Sequence, residues 1–343
     1  MKRSTTLAAA LGLAAVFAAP LANAQEIILK VAHFWPSTAL SHQKVLLPWC
    51  DKIAQESANR LKCQIYPAMQ LGGTPPQLIQ QAADGVADIV WTLPGYTAGR
   101  FPSVEVFELP FMSRSAESSS RALWEYAEQF AQKDFAMVKP LAFHVHDNGY
   151  VHGKKPINTM ADFRGTKMRA PTRLTNKMLA AFGAAPVAMP LPAVTESMSK
   201  GVIDGYVLPW EVIPTVKLHE LTKFHSETDP AEPALYTAVF TIAMNKAKYN
   251  SLPDDLKKVI DANSGADFSA MIGKVWDESA PAARQHAVDR GNVFNTIPAS
   301  ELASWRKVGD TLAAEWVQEM NGKGYPGQDM LDSAKRLIEQ HSK

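Results

Sequence analysis

The sequence lacks the short motifs that identify many enzymes of nucleotide, ester and peptide chemistry. It contains no P-loop, no G-x-S-x-G, no H-E-x-x-H and no C-x-x-C. No nucleophilic side chain can be paired with a base from its sequence context. An enzyme is therefore unsupported by the residues, although elementary chemistry does not exclude one.

The chain also lacks an excess of charge of either sign. It carries 35 basic and 34 acidic side chains, and its formal net charge is +1. Lys2 and Arg3 belong to a predicted leader, and the remainder has 33 basic against 34 acidic side chains. A nucleic-acid partner would require a basic face. No such partner is expected.

Histidine is sparse, and its placement does not predict a metal site. His144 and His146 fall on one face of a predicted strand, with His152 nearby. A metal site would need a further ligand. These residues are interpreted as ordinary strand and hinge histidines, and neither a metal nor another cofactor is expected.

Cysteine is scarce as well, with only Cys50 and Cys63 present. An even number of cysteines in an exported protein favours a disulfide. The alternative is two buried thiols without a reactive partner. A bridge would serve stability and would not mark a functional site.

The N-terminus has the pattern of a secretory signal peptide spanning residues 1–24. Lys2 and Arg3 form a positive segment, Leu7 to Ala19 an apolar segment, and Ala22-Asn23-Ala24 a cleavage site with small residues. The apolar segment is too short to span a bilayer. A retained anchor is the alternative, but no cysteine follows that could carry a lipid. The mature chain is expected to begin at Gln25 and to be exported to the periplasm.

Residues 162–211 carry the clearest structural pattern in the chain. They are predicted to alternate strand, helix, strand, helix, strand, starting with a short apolar run at Thr166 to Ala170. This alternation is typical of βαβ units with a parallel sheet. Ligands of such sheets bind at the carboxyl ends of the strands, and Arg169 lies at one of these ends. Its planar guanidinium suits a carboxylate or phosphate, although a salt-bridged surface arginine remains the alternative on physical grounds.

The same segment resembles a known family. The pattern F-R-G-x-K-x-R-x-P at Phe163 to Pro171, followed by G-V-I-D-G at Gly201 to Gly205 and then by Pro209, is similar to the substrate-binding subunits of TRAP transporters, the DctP family. The resemblance extends over the whole chain after the leader. It implies that Arg169 holds the carboxylate of a ligand.

The resemblance and an internal repeat together predict the architecture. Gly85-Val86-Ala87-Asp88 matches Gly201-Val202-Ile203-Asp204, and each is followed by Leu-Pro, as in two facing βαβαβ units. The predicted fold class is α/β, a two-lobed periplasmic binding protein of type II-like form with a cleft between the lobes. A long scaffold helix from Ser251 to roughly Arg290 is expected along both lobes. Residues 25–150 with 235–276 are predicted to form lobe I, and 151–234 with 277–343 lobe II.

Departures from sugar-acid-binding relatives predict the class of ligand. Leu93, Tyr96, Gly149, Leu208 and Thr172 occupy positions where acidic, arginine or asparagine side chains are expected. Hydroxyl-rich sugar acids need many hydrogen-bond partners, because a buried polar group left unpaired costs about 1–3 kcal/mol. The site should therefore prefer a carboxylate with an apolar or aromatic body, or a 2-oxo acid.

Further ligand contacts are expected from the group of aromatic residues at predicted strand ends, although each residue taken alone is more typical of a lobe core. His146 and Asn148, near the crossing between lobes, could bind a 2-oxo group or the second carboxylate oxygen. Glu211 could hold a cation as in some relatives, but its register differs and it is discounted. The candidate ligand residues are Arg169, Trp91, Tyr96, Phe34, Trp35, Asn148, Thr172, Leu208, Trp210 and His146.

The function predicted from the sequence is capture of an organic acid by closure of the lobes. The receptor, expected to be a monomer, would deliver its ligand to the small and large integral membrane subunits of a TRAP transporter. Lobes of this kind are expected to rotate about residues near 147–153 and 232–236. An ABC-type or sensor-coupled binding protein is the alternative, and a periplasmic enzyme is the less favoured one.

Overall fold

The computed structural model describes residues 26–343, so the predicted leader and its cleavage site lie outside the described residues. The strands are β1 Ile27–His33, β2 Leu61–Tyr66, β3 Ile89–Thr92, β4 Val138–Val145, β5 Gly149–Gly153, β6 Lys167–Ala170, β7 Ala185–Ala188, β8 Gly205–Pro209, β9 Phe224–Glu227, β10 Val239–Asn245 and β11 Val293–Thr296. The α-helices are α1 Leu47–Glu56, α2 Leu78–Ala83, α3 Ala116–Phe130, α4 Arg173–Ala181, α5 Val194–Ser199, α6 Lys246–Ser251, α7 Asp254–Ala262, α8 Ala266–Asp289, α9 Ala299–Gly322 and α10 Gly327–His341.

The strands of residues 26–343 form two sheets, one for each lobe. The first has the order β2-β1-β3-β10-β4, and the second has the order β11-β9-β5-β8-β6-β7. β1 runs parallel to β2 and β3, and β6 runs parallel to β7 and β8. The βαβ pattern expected at residues 162–211 is therefore confirmed, and the mixed α/β fold with it.

The chain crosses from β4 to β5 of the second sheet and returns from β9 to β10 of the first, and α8 later leads back to β11 of the second sheet. The first two crossings lie close together. Side-chain hydrogen bonds tie the crossings together. The amide oxygen of Asn148 accepts from the backbone N–H of Leu235 at 3.1 Å, and its amide nitrogen donates to Thr228 at 3.4 Å. In addition, the N–H of Gly149 donates to the carbonyl of Tyr236 at 3.3 Å. The two crossings therefore form one connected hinge region.

The predicted scaffold helix is interrupted, which corrects the expectation of one helix from residue 251 to 290. α7 ends at Ala262 and α8 begins at Ala266. Gly265 has a φ of +96°, outside the helical range, and its N–H donates to the carbonyl of Leu141 in β4 at 2.8 Å. Glycine allows this backbone conformation at little cost. The connection anchors the start of α8 to the first sheet.

The remaining helix, α8, contacts both lobes and so keeps the expected scaffold role. Asp277 accepts from the N–H groups of Ala116 and Glu117 at the start of α3, both at 2.9 Å. Two turns later, Arg284 makes a bidentate ion pair with Glu227 of β9 at 2.8 and 2.9 Å. One helix is thus fixed to the first lobe by its centre and to the second by its C-terminal part.

The two C-terminal helices lie on different parts of the molecule. In α9, Trp305 packs against Phe163 and Phe182 of the second lobe. In α10 and just after it, His341 contacts Glu125 of α3 and the hydroxyl of Ser342 contacts that of Ser118. The assignment of residues 277–343 to lobe II remains a prediction, and these contacts favour grouping α10 with lobe I.

The connection between α9 and α10 contains three glycines with the spacing of a dinucleotide-binding motif. Residues 322–327, Gly-Lys-Gly-Tyr-Pro-Gly, have the spacing G-x-G-x-x-G. The dinucleotide fingerprint of that spacing needs a preceding strand and a following helix. Here it joins two helices, so it does not form that nucleotide site.

The disulfide expected from the sequence is present. Cys50 of α1 is bonded to Cys63 of β2, with Cα atoms 5.7 Å apart and a separation of 13 residues in the sequence. The bond closes the first α-helical connection at the edge of the first sheet, far along the chain from Arg169. No helix within residues 26–343 is both long and apolar enough to cross a membrane.

We expect loss of this bond to lower stability without affecting ligand affinity. A loop of this length should stabilise the fold by about 3 kcal/mol through the entropy of the unfolded chain. The Cys50→Ala/Cys63→Ala double variant should unfold at a lower urea concentration than the oxidised protein. Reductant should shift the wild-type protein and leave the double variant unchanged. Equal midpoints for all samples would contradict the prediction.

Candidate ligand-binding site

A cavity lies between the two sheets, at the carboxyl ends of their strands. The wall includes six of the predicted ligand residues, namely Phe34, Trp35, Tyr96, His146, Arg169 and Leu208. Residues that follow β1 and β3 of the first sheet meet residues at the carboxyl ends of β6 and β8 of the second sheet, because parallel strands of one sheet present their carboxyl ends at the same edge and the two edges face each other across the cavity.

Arg169 is the only charged predicted ligand residue, and it is 1% exposed. Its Nε donates to the carbonyl of Met189 at 3.0 Å, and its Nη1 donates to the carbonyl of Val207 at 3.2 Å. These bonds orient the plane of the guanidinium and leave Nη2 for other partners. Burial lowers the pKa of Arg169, opposed by the nearby hydroxyls of Tyr96 and Tyr236, yet an arginine remains charged.

No carboxylate among residues 26–343 forms an ion pair with Arg169. The neighbouring Arg173, in contrast, binds both Glu105 and Glu319. A buried charge is costly unless it is paired, because the low-dielectric interior replaces its water. The cavity therefore holds an uncompensated positive charge and favours an anionic ligand.

His146 lines the cavity, but both of its ring nitrogens are engaged by the backbone. Nε2 accepts from the N–H of Ala238 at 2.9 Å, and Nδ1 lies 2.5 Å from the carbonyl oxygen of Asp147. Burial and then the charge of Arg169 lower the pKa of His146 to about 4. The ring is neutral at pH 7 and offers the ligand an apolar edge, so the hydrogen bond expected from His146 is already used.

Aromatic rings form the walls of the cavity. Phe34 and Trp35 stack with ring centroids 3.9 Å apart, and Trp35 stacks with Phe240 at 5.8 Å. Trp276 of α8 lies 6.3 Å from Phe240 between centroids. Flat apolar faces of this kind pack well against a ring.

Two predicted tryptophans are outside the wall and support it from behind. Trp91 donates its indole N–H to Nε2 of His144 at 2.9 Å and packs edge-on against Trp35. Trp210 donates to Glu227 at 2.8 Å, within the core of the second lobe. The indole N–H of each tryptophan is therefore hydrogen-bonded within the protein.

Thr172 and Asn148 also lie outside the cavity wall, in contrast to expectation. The hydroxyl of Thr172 pairs with that of Thr175 at 2.9 Å at the start of α4. Thr172 instead lines an adjoining surface depression, whose wall also includes Tyr96. Asn148 is engaged in the hinge, as described above. Local sequence placed both at the right element ends but could not show the direction of their side chains.

Ten wall residues were absent from the set of candidate ligand residues, namely Leu93, Pro171, Leu191, Pro209, Glu211, Val212, Tyr236, Ala238, Phe240 and Trp276. The last four of them come from parts of the chain distant from residues 162–211. Tyr236 follows the second crossing, and Trp276 lies on the scaffold helix. No local pattern marks them, because their position depends on how the two sheets and α8 pack together.

Gly149 is the one sequence signal that points to this packing. A Cβ atom at this position would lie 2.1 Å from Cε1 of Tyr236. A glycine inside a strand often marks such a close approach. The ring of Tyr236 therefore fills the space of the expected second arginine, and it brings an otherwise unpartnered hydroxyl to the neighbourhood of Arg169.

Contacts across the cleft show that the lobes are closed. The hydroxyl of Tyr96, which follows β3, accepts from the N–H of Leu191 in the other lobe at 3.1 Å. Arg173, at the start of α4, forms a bidentate pair with the buried Glu105 from the segment that precedes α3. The cavity is thereby enclosed between the lobes.

A closed cleft between two α/β lobes that share a hinge and a scaffold helix is the arrangement of a bacterial solute-binding protein. The family model for bacterial extracellular solute-binding protein, family 7, named DctP, matches residues 31–319. The chain belongs to this family, and the resemblance stated from the sequence is confirmed.

Solved structures of similar chains support the assignment. A TRAP solute-binding protein from Rhodoferax ferrireducens T118, solved with copurified benzoate, is 50% identical and has a TM-score of 0.91, covering 92% of this chain and 98% of its own. A marine metagenome TRAP solute-binding protein specific for aromatic acid ligands, solved with 3-hydroxybenzoate, is 47% identical with a TM-score of 0.91, covering 93% and 100%. Among curated proteins, the outer membrane transporter protein TsaT of Comamonas testosteroni is 28% identical over 84% of this chain and 85% of its own.

Replacement of Gly149 by alanine should destabilise the protein, because the new methyl group meets the ring of Tyr236. Overpacking of this kind costs about 1–3 kcal/mol. The matched control is Gly322→Ala at the end of α9, where an added Cβ meets no atom within 4 Å. Urea unfolding of both variants would measure the difference. Equal stabilities would mean that Tyr236 does not occupy the space beside Gly149.

Proposed function

We propose that this chain is the periplasmic receptor of a TRAP transporter for aromatic monocarboxylates. The observation that carries the proposal is the buried Arg169, which has no internal carboxylate partner and faces a cavity with aromatic walls. A carboxylate would supply the missing charge through two parallel hydrogen bonds. The aromatic body of the same ligand would pack against Phe34, Trp35 and Phe240.

The scarcity of hydrogen-bonding groups in the cavity supports an apolar body. Leu93 and Leu208 are part of the wall, and Tyr236 fills the space beside Gly149. A sugar acid in this cavity would leave several hydroxyl groups unpaired, each at a cost of about 1–3 kcal/mol. The benzoate and 3-hydroxybenzoate complexes of the relatives with 50% and 47% identity support the same ligand class.

The mechanism we propose is hinge closure stabilised by the ligand. The ligand binds the open lobes, and the contacts Tyr96 to Leu191 and Arg173 to Glu105 form as they close. Rotation about residues near 147–153 and 232–236 would be guided by α8, which is fixed to both lobes. Closure of this kind shifts an existing equilibrium in proportion to the difference in affinity for the two states.

Delivery to membrane subunits completes the proposed function. The family and the similar solved structures are solute-binding proteins, and the receptor releases its acid unchanged to the integral membrane components. Relatives such as the C4-dicarboxylate-binding protein of Rhodobacter capsulatus are periplasmic, which supports the same location for this chain.

Replacement of Arg169 should abolish tight binding of benzoate. Arg169→Ala removes the only cation at the ligand carboxylate, and we expect a loss of about 2–5 kcal/mol of binding free energy. Arg169→Lys keeps the charge but loses the planar fork, so it should also weaken binding. Isothermal titration calorimetry with benzoate measures both effects.

The control is Arg164→Ala in the same segment, where the arginine is exposed. Its affinity for benzoate should equal that of the wild-type protein. Far-ultraviolet circular dichroism would show that each variant is folded. Near-normal affinity in Arg169→Ala would contradict the role of this arginine, and no binding of benzoate or its ring-substituted analogues by the wild-type protein would contradict the proposed ligand class.

Benzoate should also make the protein more compact in solution. Without ligand, the uncompensated charge of Arg169 disfavours the closed cleft, because closure removes its water. Small-angle X-ray scattering should therefore give a smaller radius of gyration at saturating benzoate than without it. Arg169→Ala at the same benzoate concentration provides the control. An unchanged scattering profile of the wild-type protein at saturation would contradict hinge closure.

A further inference from the structure

Besides Arg169 and the hydroxyl of Tyr236, the cavity wall contains a further buried polar group with an unpartnered atom. Glu211 is part of the wall, directly after β8 and Trp210, and it is 5% exposed. Its Oε1 has no hydrogen-bond partner among residues 26–343 and is inaccessible to water. An unsatisfied buried oxygen of this kind costs about 1–3 kcal/mol. The cost is removed when a ligand group bonds to it.

The surroundings of Glu211 decide which group can bond. Burial alone raises the pKa of Glu211 to about 8, so its carboxyl is neutral at pH 7. A neutral carboxyl is both a donor and an acceptor. It therefore suits a hydroxyl group, which is also both, and it is a poor partner for a cation or a second carboxylate.

Glu211 and Arg169 occupy separate parts of the wall. The groups that act on the pKa of Arg169 are the hydroxyls of Tyr96 and Tyr236. An arginine within ion-pair distance would oppose the effect of burial on Glu211, and none does. A ligand that places its carboxylate on Arg169 can thus present another part of its body to Glu211.

We propose that Glu211 determines specificity by hydrogen-bonding a hydroxyl group on the aromatic ring, so that the preferred ligands are hydroxylated aromatic monocarboxylates. The inference rests on the proposed function, because it needs the ligand carboxylate at Arg169. The carboxylate then neutralises the charge of Arg169, and the ring hydroxyl bonds to Glu211. The nearby Asp147 is also buried with both carboxyl oxygens unpartnered, but it is not part of the cavity wall and so does not meet the ligand. A ligand without the hydroxyl leaves the carboxyl of Glu211 without a hydrogen-bond partner.

The test is calorimetric titration of benzoate, 3-hydroxybenzoate and 4-hydroxybenzoate into three proteins. The wild-type protein should bind one hydroxylated acid roughly tenfold more tightly than benzoate. Glu211→Leu should abolish this preference, so the measured quantity is the ratio of the affinities for the hydroxylated acid and for benzoate in each protein. Glu211→Gln keeps a donor and an acceptor of the same shape, so it should retain most of the preference.

The matched control is Glu108→Gln. Glu108 is 2% exposed, has an unpartnered Oε2 and lies outside the cavity wall. Burial, with Glu105 second, raises its pKa to about 8. Its replacement should change the affinities for all three acids by the same factor. Benzoate binding by each variant shows that the cleft is folded.

The outcomes separate this inference from the proposed function. A preference for hydroxylated acids that survives in Glu211→Leu, or no preference in the wild-type protein, would overturn the role of Glu211 while benzoate binding stands. A wild-type protein that binds none of the three acids would overturn the proposed function itself. A preference that disappears in Glu211→Leu and persists in Glu108→Gln would establish the inference.

Discussion

The structure depends on one unpaired charge, the guanidinium of Arg169. Its N–H groups are oriented by the carbonyls of Met189 and Val207, but carbonyl dipoles do not neutralise a full positive charge. Under the proposed hinge closure, the charge sits between lobes that would separate and rehydrate it. Arg173 is the opposite case, since it has two internal carboxylate partners. The pairing state therefore distinguishes Arg169, the arginine proposed to bind the ligand, from Arg173, which is paired within the protein.

Much of the fold was predictable from local patterns, and the exceptions have physical causes. The alternation in residues 162–211 predicted the strands and helices around Arg169, because periodicity and turn residues act within a few positions. The single long scaffold helix was wrong, since Gly265 ends the helical path by bonding to Leu141. The sequence of that helix gave no indication that the carbonyl of Leu141, in a distant strand, would accept a hydrogen bond from the backbone N–H of Gly265.

The site was predictable only in part for the same reason. Strand order brings Phe34 and Tyr96 to one edge of the first sheet and Arg169 to an edge of the second. The resemblance to the family marked Arg169 among the arginines. Tyr236 and Trp276 reach the cavity through a crossing and a scaffold helix, so their position depends on tertiary packing that no local window contains. Gly149 was the one local indication of this packing, because only a residue without Cβ leaves space for the ring of Tyr236.

The unpaired groups of the interface also explain why the ligand would control closure. Glu108, Glu211 and Asp147 are buried near the contacts of the two lobes, and each has at least one carboxyl oxygen without a partner. Burial raises the pKa of Glu211 and of Glu108 to about 8. In the proposed closure, these carboxyls would lose water together with Arg169. A closed empty cleft carries several unsatisfied polar groups, whereas an open one would hydrate them. A ligand that pairs with Arg169 removes the largest of these costs in the closed state. The ligand therefore binds the closed state more tightly than the open one and shifts the equilibrium towards closure.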